Sequence, residues 1–362
     1  MKRIFLTFLL LLTSFSVFAF DFGGILSTTS YVQDSVSNLS FNQYVESSLW
    51  MRENFGKNTT LTSDIFYSFN GDFVNKTELQ AGKESTFINK LDLSSLKLTT
   101  KFNLENDNVL NLSLGRFLIN DFSGVVFAQK LDALALNYVT ENAIVNFYTG
   151  YTGLLNQYTV SMYSPKFVPE ANPLYTFAAP YILANVSAKF PVLFASQNLG
   201  VELYTALDVK DFEYNRIFTA LSFDGPIYKS LYYALTSTFQ FNLGTYPEKS
   251  VFGNLTKAEI SWFSGLKSFI LSANVTYVSD SFTPITSTDV LSDGSDFVFD
   301  VAENNSVENY KGFQYSAQVR YELFDDVLLN LSASQIFYNQ QNPVYQNQEP
   351  YLNLKAHIRI SF

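Results

Sequence analysis

The chain ends in YLNLKAHIRISF (residues 351–362), a stretch in which apolar and polar residues alternate without interruption. The apolar set is Leu352, Leu354, Ala356, Ile358, Ile360 and Phe362. The polar set is Asn353, Lys355, His357, Arg359 and Ser361. A β-strand turns alternate side chains to opposite faces, so this stretch predicts one long strand with an apolar face and a polar face.

The same alternation recurs upstream, most clearly in residues 96–104, 182–190, 231–243 and 313–323. Strands of soluble sandwiches cluster near about 5 to 6 residues, whereas a strand that crosses a bilayer needs about 9 to 11. These runs fit the second class. We expect strands near residues 23–33, 41–53, 60–70, 88–104, 108–117, 131–140, 143–151, 181–190, 199–208, 215–223, 229–243, 255–263, 267–279, 310–323, 327–338 and 351–362.

The connections between these strands also differ in length. Short turns are expected near residues 105–108, 140–142, 224–226, 264–265 and 324–326, and long loops near residues 71–87, 152–180, 280–309 and 339–350; the strand-like segment 73–79 is assigned to a loop. Short turns at one end and long loops at the other are typical of outer-membrane barrels. The prediction is an all-β, transmembrane, antiparallel up-and-down β-barrel of about 16 strands, with 14 to 18 allowed by uncertain boundaries.

Aromatic residues fall near the ends of the expected strands, where two girdles at headgroup depth would place them. One set is Trp50, Phe102, Tyr138, Phe190, Phe223, Trp262 and Tyr321. The other is Tyr67, Phe69, Tyr151, Tyr277, Phe337 and Tyr351.

The N-terminus carries Lys2 and Arg3, an apolar run at residues 4–12, and VFA at residues 17–19. This pattern predicts a cleaved signal peptide over residues 1–19, which leaves residues 20–362 as a single transmembrane barrel domain. The chain has no cysteine, which excludes disulfides and thiolate metal sites. Its formal net charge of -10 argues against nucleic acid as a partner.

With this leader, the absence of cysteine and a last strand that ends in Phe362, the chain resembles bacterial outer-membrane porins. The resemblance implies insertion among outer-membrane lipids, recognition of Phe362 and Ile360 by the barrel-assembly machinery, and a homotrimer. It also implies a pore loop at the third long connection, residues 118–130, but that connection is shorter than usual and lacks the family's Gly-rich turn. Whether Arg116, Asp121 and Lys130 form a constriction is therefore left open by the sequence.

By alternation, a set of charged and titratable residues faces the interior: Lys97, Lys101, Lys257, Glu259, Arg320, Glu322, Lys355, His357 and Arg359. Arg320, Lys355 and Arg359 could form a basic patch on one wall, or be solvated residues paired with Glu322. If the third loop enters the pore, Asp121 is expected to face Arg116 or the basic wall and create a transverse field. The other expected inward residues are mostly Ser, Thr, Asn and Gln, which predicts a wettable lining without an apolar pocket.

The function expected is that of a porin, through which small hydrophilic solutes diffuse passively. The alternative is a surface adhesin or structural barrel with an occluded lumen; a carrier of hydrophobic compounds would need a plug for which the start of the mature chain leaves no room. No catalytic residues, cofactor or metal are expected, because His357 is the sole histidine and no nucleotide motif occurs. An acidic segment, residues 289–308, misses the EF-hand spacing and is expected to be a solvated loop.

Overall fold

The fold is a closed antiparallel β-barrel, seen in a computed structural model that describes residues 21–35, 38–73, 86–156, 177–210, 215–244, 252–265, 269–282, 285, 312–324, 326–338 and 351–361. These residues form sixteen strands. They are β1 (Asp21–Ser35), β2 (Asn38–Phe55), β3 (Thr59–Phe73), β4 (Thr86–Asn103), β5 (Val109–Asn120), β6 (Ala128–Val139), β7 (Ile144–Tyr151), β8 (Tyr181–Phe194), β9 (Gln197–Asp208), β10 (Arg216–Tyr228), β11 (Leu231–Asn242), β12 (Phe252–Phe263), β13 (Phe269–Val278), β14 (Gly312–Phe324), β15 (Val327–Tyr338) and β16 (Tyr351–Ser361). The predicted fold class is confirmed.

Each strand pairs with its neighbours in sequence, and β1 pairs with β16 to close the ring. The closing ladder runs from Ile25 opposite Ser361 to Asp34 opposite Leu352. Closure matters because a sheet edge in hydrocarbon would leave backbone N–H and C=O groups without partners. No helix among the described residues is long and apolar enough to cross a membrane.

The two ends of the barrel carry different connections. One end, called here the turn end, has the connections at residues 56–58, 104–108, 140–143, 195–196, 229–230, 264–268 and 325–326, and β1 begins and β16 ends there. The opposite end, the loop end, has all the longest connections, including residues 152–180 and 279–311. Of the strand-like segment 73–79, Phe73 ends β3 and the remainder lies outside the described residues.

The turn expected at residues 224–226 was wrong. Asp224, Gly225 and Pro226 continue β10 and pair with β11, and the chain reverses at residues 229–230 instead. The register shifts between Pro226 and Tyr228. A proline is tolerated in a strand at such a bulge, because the missing N–H is not needed for the ladder there.

The outer face of the barrel is apolar. Leu49, Leu91, Val186 and Ile260 illustrate it, each at least half exposed on a strand whose alternate residues face inward. Several girdle aromatics expected from the sequence are also exposed: Tyr67, Phe102, Phe223, Trp262, Tyr277, Tyr321 and Phe337.

Trp50 is an exception to the girdle prediction. Its neighbours Leu49 and Met51 are exposed on the outer face, and Trp50 itself pairs with the inward-facing Asp64. The strand period therefore turns Trp50 toward the lumen.

Strands β4 and β5 separate toward the loop end. Their pairing stops at Leu96 opposite Arg116, although β4 continues beside β3 to Thr86 and β5 continues beside β6 to Asn120. Gly115 lies at the point of separation with a φ of 120°. A Cβ at this position would collide with the carbonyl oxygen of Leu96, so only glycine fits.

We expect Gly115→Ala to lower the free energy of unfolding by about 1–3 kcal/mol, because alanine adopts this backbone conformation only under strain. Guanidinium titration of the barrel in detergent micelles measures it. Gly265→Ala is the matched control, since no heavy atom lies within 4 Å of a Cβ built there. Equal stabilities of the two variants would contradict the role of Gly115.

Candidate functional site

The loop end of the β5–β6 hairpin, residues 117–130, is called here the hairpin tip. It lies inside the barrel wall: Lys130 on β6 contacts Phe66 and Ser94, which face inward from β3 and β4. The connection is shorter than the expected 118–130, because β5 extends to Asn120 and β6 begins at Ala128.

Charged contacts hold the hairpin tip against β4. The Arg116 guanidinium donates to both carboxylate oxygens of Asp132, at 2.9 and 3.0 Å, and lies 3.8 Å from the Asp92 carboxylate. It also donates to the backbone oxygen of Leu154 in the next loop, at 3.2 Å. Arg116 therefore joins two neighbouring loop-end segments to the barrel wall.

Lys130 makes a second contact on the same side. Its Nζ lies 2.5 Å from Ser94 Oγ and 4.5 Å from the centre of the Phe66 ring. The carboxylates of Glu46 and Asp64, inward on β2 and β3, interact electrostatically with it. A basic residue of the hairpin tip thus meets an acidic wall.

Apolar packing holds the other side of the tip. Val125, Val126 and Phe127 are almost fully buried. They belong to one cluster with inward residues of β6–β13 and with two residues of the connection after β13: Leu131, Ala133, Tyr148, Tyr181, Leu183, Tyr204, Ala206, Phe218, Leu255, Val278, Phe282 and Ile285. Burying a side chain of this size contributes about 1.5–3 kcal/mol relative to exposure in water.

This cluster corrects the expected lining. We predict a lumen of Ser, Thr, Asn and Gln without an apolar pocket, but toward the loop end β6–β10, β12 and β13 present apolar and aromatic residues inward. Tyr204 and Phe218 stack with ring centres 4.9 Å apart, and Phe282 packs edge-on to Phe218 at 6.1 Å. The prediction failed because these residues face the hairpin tip and not water.

Asp121 organises the turn of the tip. Its carboxylate accepts hydrogen bonds from the backbone N–H groups of Ser123 and Phe127, both at 2.9 Å, and from the Ser123 hydroxyl. Burial raises the pKa of this carboxyl, while those hydrogen bonds and the charge of Lys257 act in the opposite direction. Asp121 does not pair with Arg116, as we had expected it could, because Arg116 is engaged by Asp132.

Glu202 on β9 links the tip to the far wall. One carboxylate oxygen accepts the backbone N–H of Phe122 at 2.9 Å, and the other accepts Asn185 Nδ2 at 2.6 Å. The Phe122 ring occupies the space over Gly200, where a Cβ would lie 2.7 Å from it. The hairpin tip therefore reaches from β3 and β4 across to β9.

Glu202 was missed by the sequence analysis. Leu199, Val201 and Leu203 alternate with it, so the same parity rule that selected the other inward charges would have selected Glu202. Its partner, a backbone N–H of a distant loop, has no signal in the sequence.

The expected basic residues lie on adjacent strands of one wall. Asn330 on β15 stands between Arg320 on β14 and His357 on β16, and Ser332 pairs with Lys355. Neighbouring strands are about 4.8 Å apart, so Arg320 and His357 are about 10 Å apart along the wall. Among the described residues, no ion pair joins Glu322 to Arg320 or Arg359.

The remaining expected lumen residues are dispersed. Lys97 lies over the Phe117 ring at 4.8 Å, Lys257 lies 3.7 Å from Glu259, and His357 Nδ1 is 2.8 Å from Thr29 Oγ1. Lys101 is opposite Asn111 near the turn end.

Two further predictions concern the end of the chain and the acidic loop. Ile360 pairs with Leu26 and Val327 on the outer face, while Phe362 and the acidic segment 289–308 lie outside the described residues. In the part of the chain that is described, no three His, Asp or Glu side chains are grouped as a metal site requires.

We expect Glu202→Gln to speed hydrogen exchange at the Phe122 amide by about tenfold, because a hydrogen bond to a carboxylate is roughly twice as strong as a neutral one. Exchange followed by mass spectrometry on the folded barrel measures it. Glu322→Gln removes a lumen carboxylate that does not touch the tip and serves as the control. An unchanged rate in Glu202→Gln would show that Glu202 does not hold the tip.

No protein-family model matches the chain, and no curated protein sequence matches it. Solved structures do. OprB of Pseudomonas putida, solved at low pH, is 8% identical with a TM-score of 0.55, and the match covers 97% of this chain and 95% of OprB. OccK2 (OpdF) of Pseudomonas aeruginosa is 9% identical with a TM-score of 0.54, over 95% of this chain and 98% of OccK2. Identities this low establish a shared architecture, and the chain has the sixteen-stranded barrel fold of bacterial outer-membrane porins.

Proposed function

We propose that this chain is an outer-membrane channel through which small hydrophilic solutes diffuse passively. The observation that carries the proposal is a closed barrel of sixteen strands that is apolar outside and carries charged and hydroxyl side chains inside. A barrel of about 16 strands is wide enough to leave an aqueous channel, whereas one of about 8 is filled by its own side chains. The predicted leader, residues 1–19, supports export to that membrane.

The hairpin tip would set the width of this channel. It contacts β3, β4 and β9 and fills the loop-end half of the lumen beside β6–β13 with packed side chains. The path left to a solute then runs past the β14–β16 wall, where Arg320 and Glu322 are solvent-exposed. Narrowing by a packed hairpin favours small solutes.

The charges on that path would set its selectivity. Arg320 and Arg359 stand without an ion pair to Glu322, and Lys355 adds a third basic residue to the same wall. The acidic residues Glu46 and Asp64 face inward from β2 and β3, two and three strands beyond β16 around the ring, and are partly compensated by Lys130. We infer a modest preference for anions.

Reconstitution into planar lipid bilayers tests the channel itself. We expect single-channel steps whose current is proportional to voltage. A folded, inserted barrel that stays electrically silent would instead support the alternative, an adhesin or structural barrel with an occluded lumen. The homotrimer and recognition of Phe362 by the assembly machinery stay predictions from the resemblance.

Replacing residues 122–126 by two glycines removes Phe122 and the buried valines of the tip. We expect the single-channel conductance to rise by about twofold or more, because a narrower segment dominates the resistance of a pore. Leu331→Ala, on the outer face, is the control and should leave the conductance as it is. If the shortened tip conducts like the native one, the tip is not the constriction.

Arg320→Ala combined with Arg359→Ala tests the basic wall. We expect the reversal potential in a salt gradient to move toward cation preference, with a permeability ratio changed by about two- to threefold. Glu322→Gln, which removes the acidic residue of the same wall, should move it the opposite way. A reversal potential that neither variant alters would rule out selectivity by these residues.

A further inference from the structure

A cavity lies on the turn-end side of the hairpin tip. It has a volume of about 720 Å³ and is formed mainly by β10, β11 and β12, with Phe122 of the tip projecting into it. Cavities of about 300 to 1,000 Å³ are typical of sites for small organic ligands. A solute that passes the tip would meet this cavity next.

Aromatic residues from the tip and from two strands line the cavity. Phe122 comes from the tip, and Tyr232 and Phe263 come from the ends of β11 and β12, where their rings pack edge to face at 5.2 Å. The small residues Gly225 and Ala234 line it as well. Aromatic faces give the cavity an affinity for apolar groups and for cations.

The charged residues of the cavity differ in how well they are paired. Lys189 and Asp224 form an ion pair at 2.9 Å and so neutralise each other. Lys229, the other lysine of the lining, lies over the Tyr228 ring at 5.1 Å. Glu259 is less well matched: Ser261 donates to one carboxylate oxygen at 3.0 Å, but the nearest cation, Lys257, is 3.7 Å from the other. That distance is beyond hydrogen-bond range.

Lys257 also interacts with a carboxylate other than Glu259. It interacts electrostatically with the buried carboxylate of Asp121 on the tip side of the cavity. The described residues provide no hydrogen-bond donor to the second oxygen of Glu259, and its side chain is one-third exposed. Glu259 is therefore an acceptor that a ligand can reach.

We propose that this cavity binds organic ammonium ions, with the ammonium group on the Glu259 carboxylate and an apolar or aromatic substituent among Phe122, Tyr232 and Phe263. A carboxylate beside aromatic faces attracts a cation by charge and by the ring quadrupoles. The inference rests on the proposed channel function and adds a local feature to it: the basic β14–β16 wall favours anions in passage, whereas this cavity would retain organic ammonium ions.

Binding and conduction are measured separately, so that either can fail alone. Benzylammonium, benzyl alcohol and benzoate share one ring and differ in charge; each is titrated into the native barrel in uncharged detergent micelles by calorimetry, with empty micelles subtracted. We expect benzylammonium to bind at least about tenfold more tightly than the other two. Equal affinity for benzyl alcohol, or tighter binding of benzoate, overturns the proposal without any variant.

Two variants then locate the site. Glu259→Gln should weaken benzylammonium binding by about tenfold or more, and Tyr232→Ala should weaken it as well. Glu322→Gln, on β14 and not among the residues that line the cavity, is the matched control and should bind as the native barrel does. If Glu259→Gln binds benzylammonium unchanged, the site is wrong.

Planar-bilayer recordings separate this inference from the channel proposal. We expect benzylammonium to interrupt the current of the native barrel and not that of Glu259→Gln. Binding without any current would leave the site standing and remove the channel function. Current without binding would leave the channel standing and remove the site.

Discussion

The structure depends on the pairing of backbone N–H and C=O groups around a complete ring. In hydrocarbon an unpaired backbone group costs several kcal/mol, so a sheet can cross the membrane only when its first strand meets its last. Here β1 and β16 complete the ring. Closure turns one face of every strand to lipid and the other to the lumen, and all further features are arranged on those two faces.

The hairpin tip is the main departure from a regular cylinder. Beyond Gly115, β5 leaves β4 and its hairpin enters the lumen, where charges bind one side and apolar packing binds the other. Arg116 and Lys130 contact acidic residues of β2–β4. Val126 and Phe127 pack against inward apolar residues of the strands from β6 to β13. Because both sides are held, a tip without a Gly-rich turn keeps a defined position. The lumen is thereby divided into a packed part and a part lined by basic residues and the aromatic cavity.

Most of the fold was predictable because a barrel strand is specified by local alternation and by length, which any window of the sequence displays. The prediction erred where a local signal has two meanings. Asp224, Gly225 and Pro226 have the composition of a turn, yet they form a bulge because the neighbouring strands continue. Trp50 is of a residue type that is common in aromatic girdles, yet the register of β2 turns it toward the lumen.

The sequence by itself determined a strand count near sixteen, the closed class of sheet and which alternate residues face inward, because these follow from the period of the chain. Only the tertiary structure decided which inward residues meet water and which meet protein. Tyr204 and Phe218 are inward by parity in the same way as Arg320, but the tip covers the first two and leaves the third exposed. The contact of Glu202 with the Phe122 amide and the placement of Glu259 beside three rings likewise join residues far apart in the chain, and no local pattern encodes such distances.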